Sequence, residues 1–87
     1  MGKEHRPLSE IAADIYRAWP LHKRLACFIG SWYLERMSEM GSLSDTWGTF
    51  TGRDIVNGFL QGCIGFTGAR ARELKAELRE LLKDAES

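Results

Sequence analysis

Leu8-Ser9-Glu10-Ile11-Ala12-Ala13-Asp14-Ile15-Tyr16-Arg17-Ala18-Trp19-Pro20 is the stretch that decides the fold class. Its apolar residues Leu8, Ile11, Ala12, Ile15 and Trp19 recur at intervals of three and four, the spacing that gathers side chains on one stripe of an α-helix. Glu10, Asp14 and Arg17 fall on the opposite side. Pro20 ends the segment, because the residue before a proline is pushed out of the α region. A helix over about 8–19 follows, and the polar residues 1–7 before it are expected to form a frayed tail.

The same period runs on through the chain. A second helix is predicted over 21–40, closed by Gly41 as its C-cap. On its wheel Ala26, Ile29, Tyr33, Met37 and Met40 share one arc, with Leu25 and Trp32 at the edge. Arg24, Ser31, Glu35 and Ser38 make the polar face. Phe28 and Leu34 fit neither arc, so this helix carries more apolar surface than one small core needs. Residues 41–51 form a turn-rich connection with room for one helical turn capped by Ser42 or Ser44, and Trp47 and Phe50 are its only large groups.

Thr51 and Asp54 have the spacing of a capping box, with Asp in place of the usual Glu. They open a third helix over 52–64, whose stripe is Ile55, Val56, Phe59, Leu60 and Cys63. Gly58, Gly62 and Gly65 line one flank of it, at a cost of about 1 kcal/mol each relative to Ala. Close approach of a neighbouring helix backbone accounts for that choice. The last helix, 67–84, repeats Ala71, Leu74, Leu78, Leu81 and Ala85 in a heptad-like seam too short for a free-standing coiled coil. No alternation of Val, Ile and Thr marks a strand. The expected architecture is all-α, a small bundle of about four helices with the 41–51 connection.

Length and charge bound the function. An 87-residue chain supports one modest core, hence a single domain over 1–87. Twelve Lys and Arg balance 12 Asp and Glu, so no net field draws the molecule onto nucleic acid or an anionic membrane. The balance is uneven along the chain: residues 1–24 carry +2, residues 25–65 carry −2 and residues 66–87 carry zero. The longest apolar run, Leu25 to Ile29, falls far short of the roughly 20 residues of a membrane span. The first residues lack the apolar segment of a secretory signal. Cys27 and Cys63 stand 36 residues apart without a CxxC and read as reduced core thiols, which favours a cytoplasmic location.

Chemistry-bearing constellations are missing. The two histidines are His5, in the tail, and His22, directly after Pro20-Leu21. No HxxxH, CxxC or HxxE pair offers metal-ligand spacing. His22 and Cys27 would leave one helix at different angles, and Glu73, Glu77 and Glu80 sit among cations on a charge-laced face. The expectation is therefore no enzyme, no metal and no cofactor. The Gly-rich run Gly62 to Gly68 precedes a helix but lacks the Lys-Ser/Thr and the strand of a phosphate loop. Arg70 and Arg72 in a first helical turn oppose the macrodipole; with Arg53 they are candidates for an anion or acidic-partner contact. Residues 52–84 also have the outline of a helix-turn-helix, although four acidic residues on the second helix match a phosphate backbone poorly.

Several strings resemble a family of short phage and prophage proteins. Ile11-Ala-Ala-Asp-Ile-Tyr-Arg-Ala-Trp19-Pro20 is similar to the opening of that family, and Tyr33-Leu-Glu-Arg-Met37 with Ser42-Leu-Ser-Asp45 to its middle. Phe66-Thr-Gly68, then Ala71-Arg72 and Lys75-Ala-Glu-Leu78, resemble its end, with Phe66 where a Trp is usual. The resemblance implies an accessory protein of a mobile element and carries no catalytic residues with it. By analogy with small phage proteins, it implies a non-catalytic module that occupies a protein surface, as an inhibitor of a host defence complex of the anti-CRISPR type. Phe28, Trp32, Leu34, Trp47 and Phe50 are the candidate partner-binding residues, since aromatic groups dominate interface energetics. A small DNA-binding regulator built on 52–84 and a homo-oligomeric accessory protein, a homodimer for instance, are the competing expectations.

Overall fold

The computed structural model describes residues 6–86; the tail expected over 1–7 lies outside them up to residue 5. Among the described residues five helices and one minimal ribbon follow in the order α1 (Leu8–Ala18), α2 (Leu21–Leu25), α3 (Phe28–Met37), β1 (Thr46–Trp47), β2 (Phe50–Thr51), α4 (Gly52–Gly62) and α5 (Ala69–Glu86). The chain is predominantly helical, as its periodicity requires.

α1 buries Leu8, Ile11, Ala12 and Ile15, the stripe read from the sequence, and Trp19 follows at its C-cap. Pro7 supplies no side-chain cap. The first backbone donors of α1 are met from elsewhere: Leu8 N–H donates to the Gly41 carbonyl at 3.1 Å and Ser9 N–H to the Met40 carbonyl at 2.8 Å. Helix starts leave four such donors unpaired, so this pairing fixes α1 against the end of the α3 segment. Arg6, assigned to the frayed tail, is tied down instead. Its guanidinium grips Glu77 with two hydrogen bonds of 2.9 and 2.8 Å and Asp14 with one of 2.6 Å, joining α1 to α5.

The predicted helix over 21–40 is two helices. The chain leaves the helical region at Cys27, whose φ and ψ are −112° and 86°. Two side chains stabilise the break: the Ser31 hydroxyl donates to the Arg24 carbonyl at 2.6 Å, and the Cys27 thiol to the Gly62 carbonyl at 2.9 Å. The break rotates α3 relative to α2. Gly30, Leu34 and Met37 become its buried face and Ile29, expected inside, is left 63% exposed. α3 ends at Met37 with Ser38 as its C-cap, so Gly41 does not cap it.

The 41–51 connection contains no helical turn. Asp45 accepts from the N–H groups of Gly41 and Ser42 at 2.7 and 3.1 Å, which ties the loop into a knot of turns. A short antiparallel ribbon follows, pairing Thr46 with Thr51 and Trp47 with Phe50. Gly48, at φ 60°, makes the turn between them. The Thr51–Asp54 capping box is present in both directions.

α4 buries Ile55, Val56 and Phe59, with Cys63 just beyond it, and lies along α3. The glycine flank was expected to face a neighbouring helix backbone; at Gly58 and Gly62 the nearest groups are instead side chains of α3. A Cβ on Gly58 would collide with the Tyr33 ring, and one on Gly62 would stand 2.5 Å from Ile29 Cγ2. Gly65 differs: nothing lies near it, and it turns the chain at φ 90°. α5 packs on α1 through Ala71, Leu74, Leu78 and Leu82; Leu82 replaces the expected Leu81, which is half-buried, and Ala85 is exposed. Trp19 closes the centre of the core, with ring centroids 6.0 Å from Phe59 and 5.2 Å from Phe66.

A candidate docking face on α2 and α3

α2 starts at Pro20, whose fixed φ suits the residue just ahead of a helix, and contributes no buried residue. Leu21 and Leu25 on it are 58% and 61% exposed. Past the break, Phe28 is 85% exposed and Ile29 63% exposed; Ile64, in the turn after α4, is 79% exposed. An aromatic or aliphatic group left in water forfeits about 1.5–3 kcal/mol of burial. Single exposed apolar groups are ordinary, but Phe28, Ile29 and Ile64 line one cleft, and contiguous patches mark contact sites.

Between the ridge of α3 and the turn after α4 lies an apolar cleft of about 840 Å³. Phe28, Ile29 and Tyr33 form one wall, Gln61 and Ile64 the other, and Lys23 stands at its rim as the one charged residue of the lining. Its floor is the seam where α3 meets α4. A Cβ on Gly30 would stand 2.9 Å from the Gly62 carbonyl oxygen and 2.9 Å from the Trp19 ring, so the two backbones touch there. That approach leaves no space for Phe28 and Ile29 beneath α3. A shallower apolar hollow, lined by Phe28, Ile29, Trp32 and Tyr33, continues the face towards the ribbon.

Trp32, Trp47 and Phe50, chosen from the sequence as contact residues, do come together. The Trp32 ring stands edge-on to Trp47 and Phe50 at centroid distances of 5.5 and 5.6 Å. Arg36 is sandwiched between the two indoles, its guanidinium carbon 5.0 Å from one ring centre and 4.8 Å from the other. Cation–π attraction of this kind holds the ribbon onto α3. Trp32 and Phe50 are half-buried and Trp47 is 39% exposed, so this cluster is chiefly structural, with one exposed edge. Leu34 must be withdrawn from the contact set: it is fully buried, because the break at Cys27 turns it inward. The sequence missed Ile29 and Ile64.

The arginines proposed for an anion divide. Arg70 bonds Asp14 at 3.1 Å and Glu73 at 3.0 Å, so its charge is already engaged. Arg72 is exposed on α5, and Arg53 is half-buried in the first turn of α4, with its N–H on the Leu43 carbonyl at 3.2 Å. Asp14 gathers Arg6, Arg17 and Arg70, and the Arg6 hydrogen bond above all holds its carboxyl below the usual carboxylate range.

Both cysteines are free; burial pushes the Cys63 thiol up, away from the reactive thiolate. His22 is exposed on α2, and no group of three or more His, Cys, Asp or Glu among the described residues could hold a metal ion. No described helix is long and apolar enough to cross a membrane. No family model, curated protein or solved structure matches the chain.

Proposed function

We propose that the chain is a non-catalytic protein-binding module whose contact face is formed by α2, the first turn of α3 and Ile64. One observation carries this: Phe28, Ile29 and Ile64, each more than half exposed, line an apolar cleft whose lining has a single charge. Interface cores are depleted of charge and enriched in aromatic anchors, and Phe28 is such an anchor standing in water. The resemblance to phage and prophage proteins directs the proposal to a host protein as partner, with inhibition of a defence complex, in the anti-CRISPR manner, as the biological effect. Blocking a surface requires shape and apolar area and no chemistry of its own. The DNA-binding alternative draws less support, because Arg70, one of the cations it needs, is paired with Asp14 and Glu73.

Capture from host extract, with immobilised wild type beside Phe28→Asp, tests the reading. Phe28 contributes little to the fold, so the variant should keep its circular dichroism and lose a host protein that wild type retains. Identical captured sets would remove the α2–α3 face from consideration.

A further inference from the structure

We infer, resting on the reading of the α2–α3 face as a docking surface, that its partner presents an acidic amphipathic helix. That helix lays its apolar stripe in the cleft and sets a carboxylate on Lys23. Charge is the first ground. The chain holds 12 acidic residues, yet none falls within 15–34 or within 55–72. Every residue that lines the cleft belongs to one of those two stretches. Lys23, the single charge of the lining, is exposed and makes no ion pair among the described residues. Its neighbour Arg24 adds a second positive charge, held 4.7 Å over the Tyr16 ring, and α2 has no acidic residue to offset either. A second copy of the chain would bring like charge to this rim, whereas a carboxylate beside an apolar stripe complements it.

Shape is the second ground. Phe28, Ile29 and Ile64 stand mostly in water around the cleft, so it is open along its top and would leave a small molecule half solvated. A helix suits such a groove: its apolar anchors at i, i+3 or i+4, and i+7 enter, and its polar face stays in solvent. A volume of about 840 Å³ gives room for several such side chains. A bilayer surface is too flat to reach the seam between α3 and α4. One lining cation also falls short of the roughly four to eight Lys and Arg that draw a segment onto anionic lipid. The ion pair at the rim stays partly solvated, so it sets preference more than affinity. The apolar stripe against Phe28 supplies the affinity.

Two synthetic helical peptides of about 14 residues test the proposal by calorimetric titration against the full chain. They share a Leu stripe at i, i+3 and i+7 and differ in its flanks, Glu in one and Lys in the other. The Glu peptide should bind with a Kd below about 100 μM, at least about tenfold more tightly than the Lys peptide. Raising NaCl from about 0.05 M to about 0.5 M should erase most of that preference. Lys23→Glu should abolish or reverse it, and Phe28→Ala should weaken the Glu peptide at least about tenfold, both with unchanged circular dichroism. Neither peptide binding at about 1 mM, equal binding of the two, or a preference that survives Lys23→Glu would overturn the proposal. So would sedimentation of the protein with phosphatidylserine vesicles that the Glu peptide does not relieve. Equal binding of the peptides, beside a host protein lost on Phe28→Asp, defeats the acidic helix and leaves the docking reading standing. A Lys23-dependent preference, beside captured host proteins unchanged by Phe28→Asp, does the reverse.

Discussion

Replacing Gly30 by alanine sets two effects of known sign against each other. In a free helix the change gains about 1 kcal/mol, from a lower backbone entropy cost. At this position the new methyl group would stand 2.9 Å from the Gly62 carbonyl oxygen, 2.9 Å from the Trp19 ring and 3.1 Å from the Cys27 sulfur. The thiol can turn away, but the carbonyl belongs to α4 and Trp19 is locked between Phe59 and Phe66. Relief requires α3 to lift from α4, which puts the overpacking cost at about 3 kcal/mol. The net loss is then about 2 kcal/mol, or roughly 8–16 °C in Tm for a domain of this length. Gly58→Ala is the matched control. The atoms nearest its methyl group belong to the Tyr33 ring, the far end of a half-buried side chain that can swing outward. The helix gain and the disturbed Tyr33–Trp32 contact (5.0 Å) then offset to within about 1 kcal/mol. Thermal melts of the two variants beside wild type, followed by far-ultraviolet circular dichroism, read the difference. A Gly30→Ala protein that melts at or above wild type would show that the α3–α4 seam is not tight, and the account of why Phe28 and Ile29 face outward would fall with it.

Two further outcomes follow from the same packing. Leu34→Ala should lose about 2–5 kcal/mol of stability by emptying a fully buried site, whereas Phe28→Ala should stay within about 0.5 kcal/mol when denatured at high dilution; chemical denaturation that ranks the two the other way would reverse the assignment of core and contact face. Acid should weaken the fold through Asp14, whose carboxyl is held below its ordinary value of 3.8 by Arg6. A lowered native value means the stabilisation is complete above that ordinary value and disappears as pH falls through the native one. Asp14→Asn should therefore be less stable than wild type at neutral pH and show a shallower loss below about pH 4, and parallel acid titrations of the two proteins would contradict this.

The parts of the fold legible in the sequence are those set by local rules. The α1 stripe, the stop at Pro20 and the Thr51–Asp54 capping box each depend on residues within a few positions of one another, and each stands where the spacing put it. The α4 stripe was legible for the same reason; the cause of its glycine flank was not, because the groups that crowd Gly58 and Gly62 are the side chains of Tyr33 and Ile29 rather than a backbone. The ribbon at Thr46–Thr51 was missed because its stability does not come from alternation. It comes from Trp47 and Phe50 reaching Trp32 and from Arg36 between the indoles, contacts with a helix ten or more residues earlier.

The candidate site was only half legible, and the break at Cys27 is why. A helical wheel drawn through 21–40 assumes one unbroken phase. One residue with ψ 86° breaks that phase: Ile29, placed inside by the wheel, is exposed and Leu34, which fitted neither arc, is buried, while Met37 and Met40 stay inside. Nothing within the LACFIG stretch announces the break, because one of the two hydrogen bonds that hold it is distant: the Gly62 carbonyl that takes the Cys27 thiol's hydrogen bond lies 35 residues away. The same carbonyl also presses on Gly30. One backbone group of α4 thus takes part in ending α2, seating α3 and closing off the space that Phe28 and Ile29 would need underneath. The exposed face is therefore a consequence of tight α3–α4 packing. A variant that loosens the seam should let Phe28 fold inward, so stability and docking should be lost together at Gly30 and separately at Phe28.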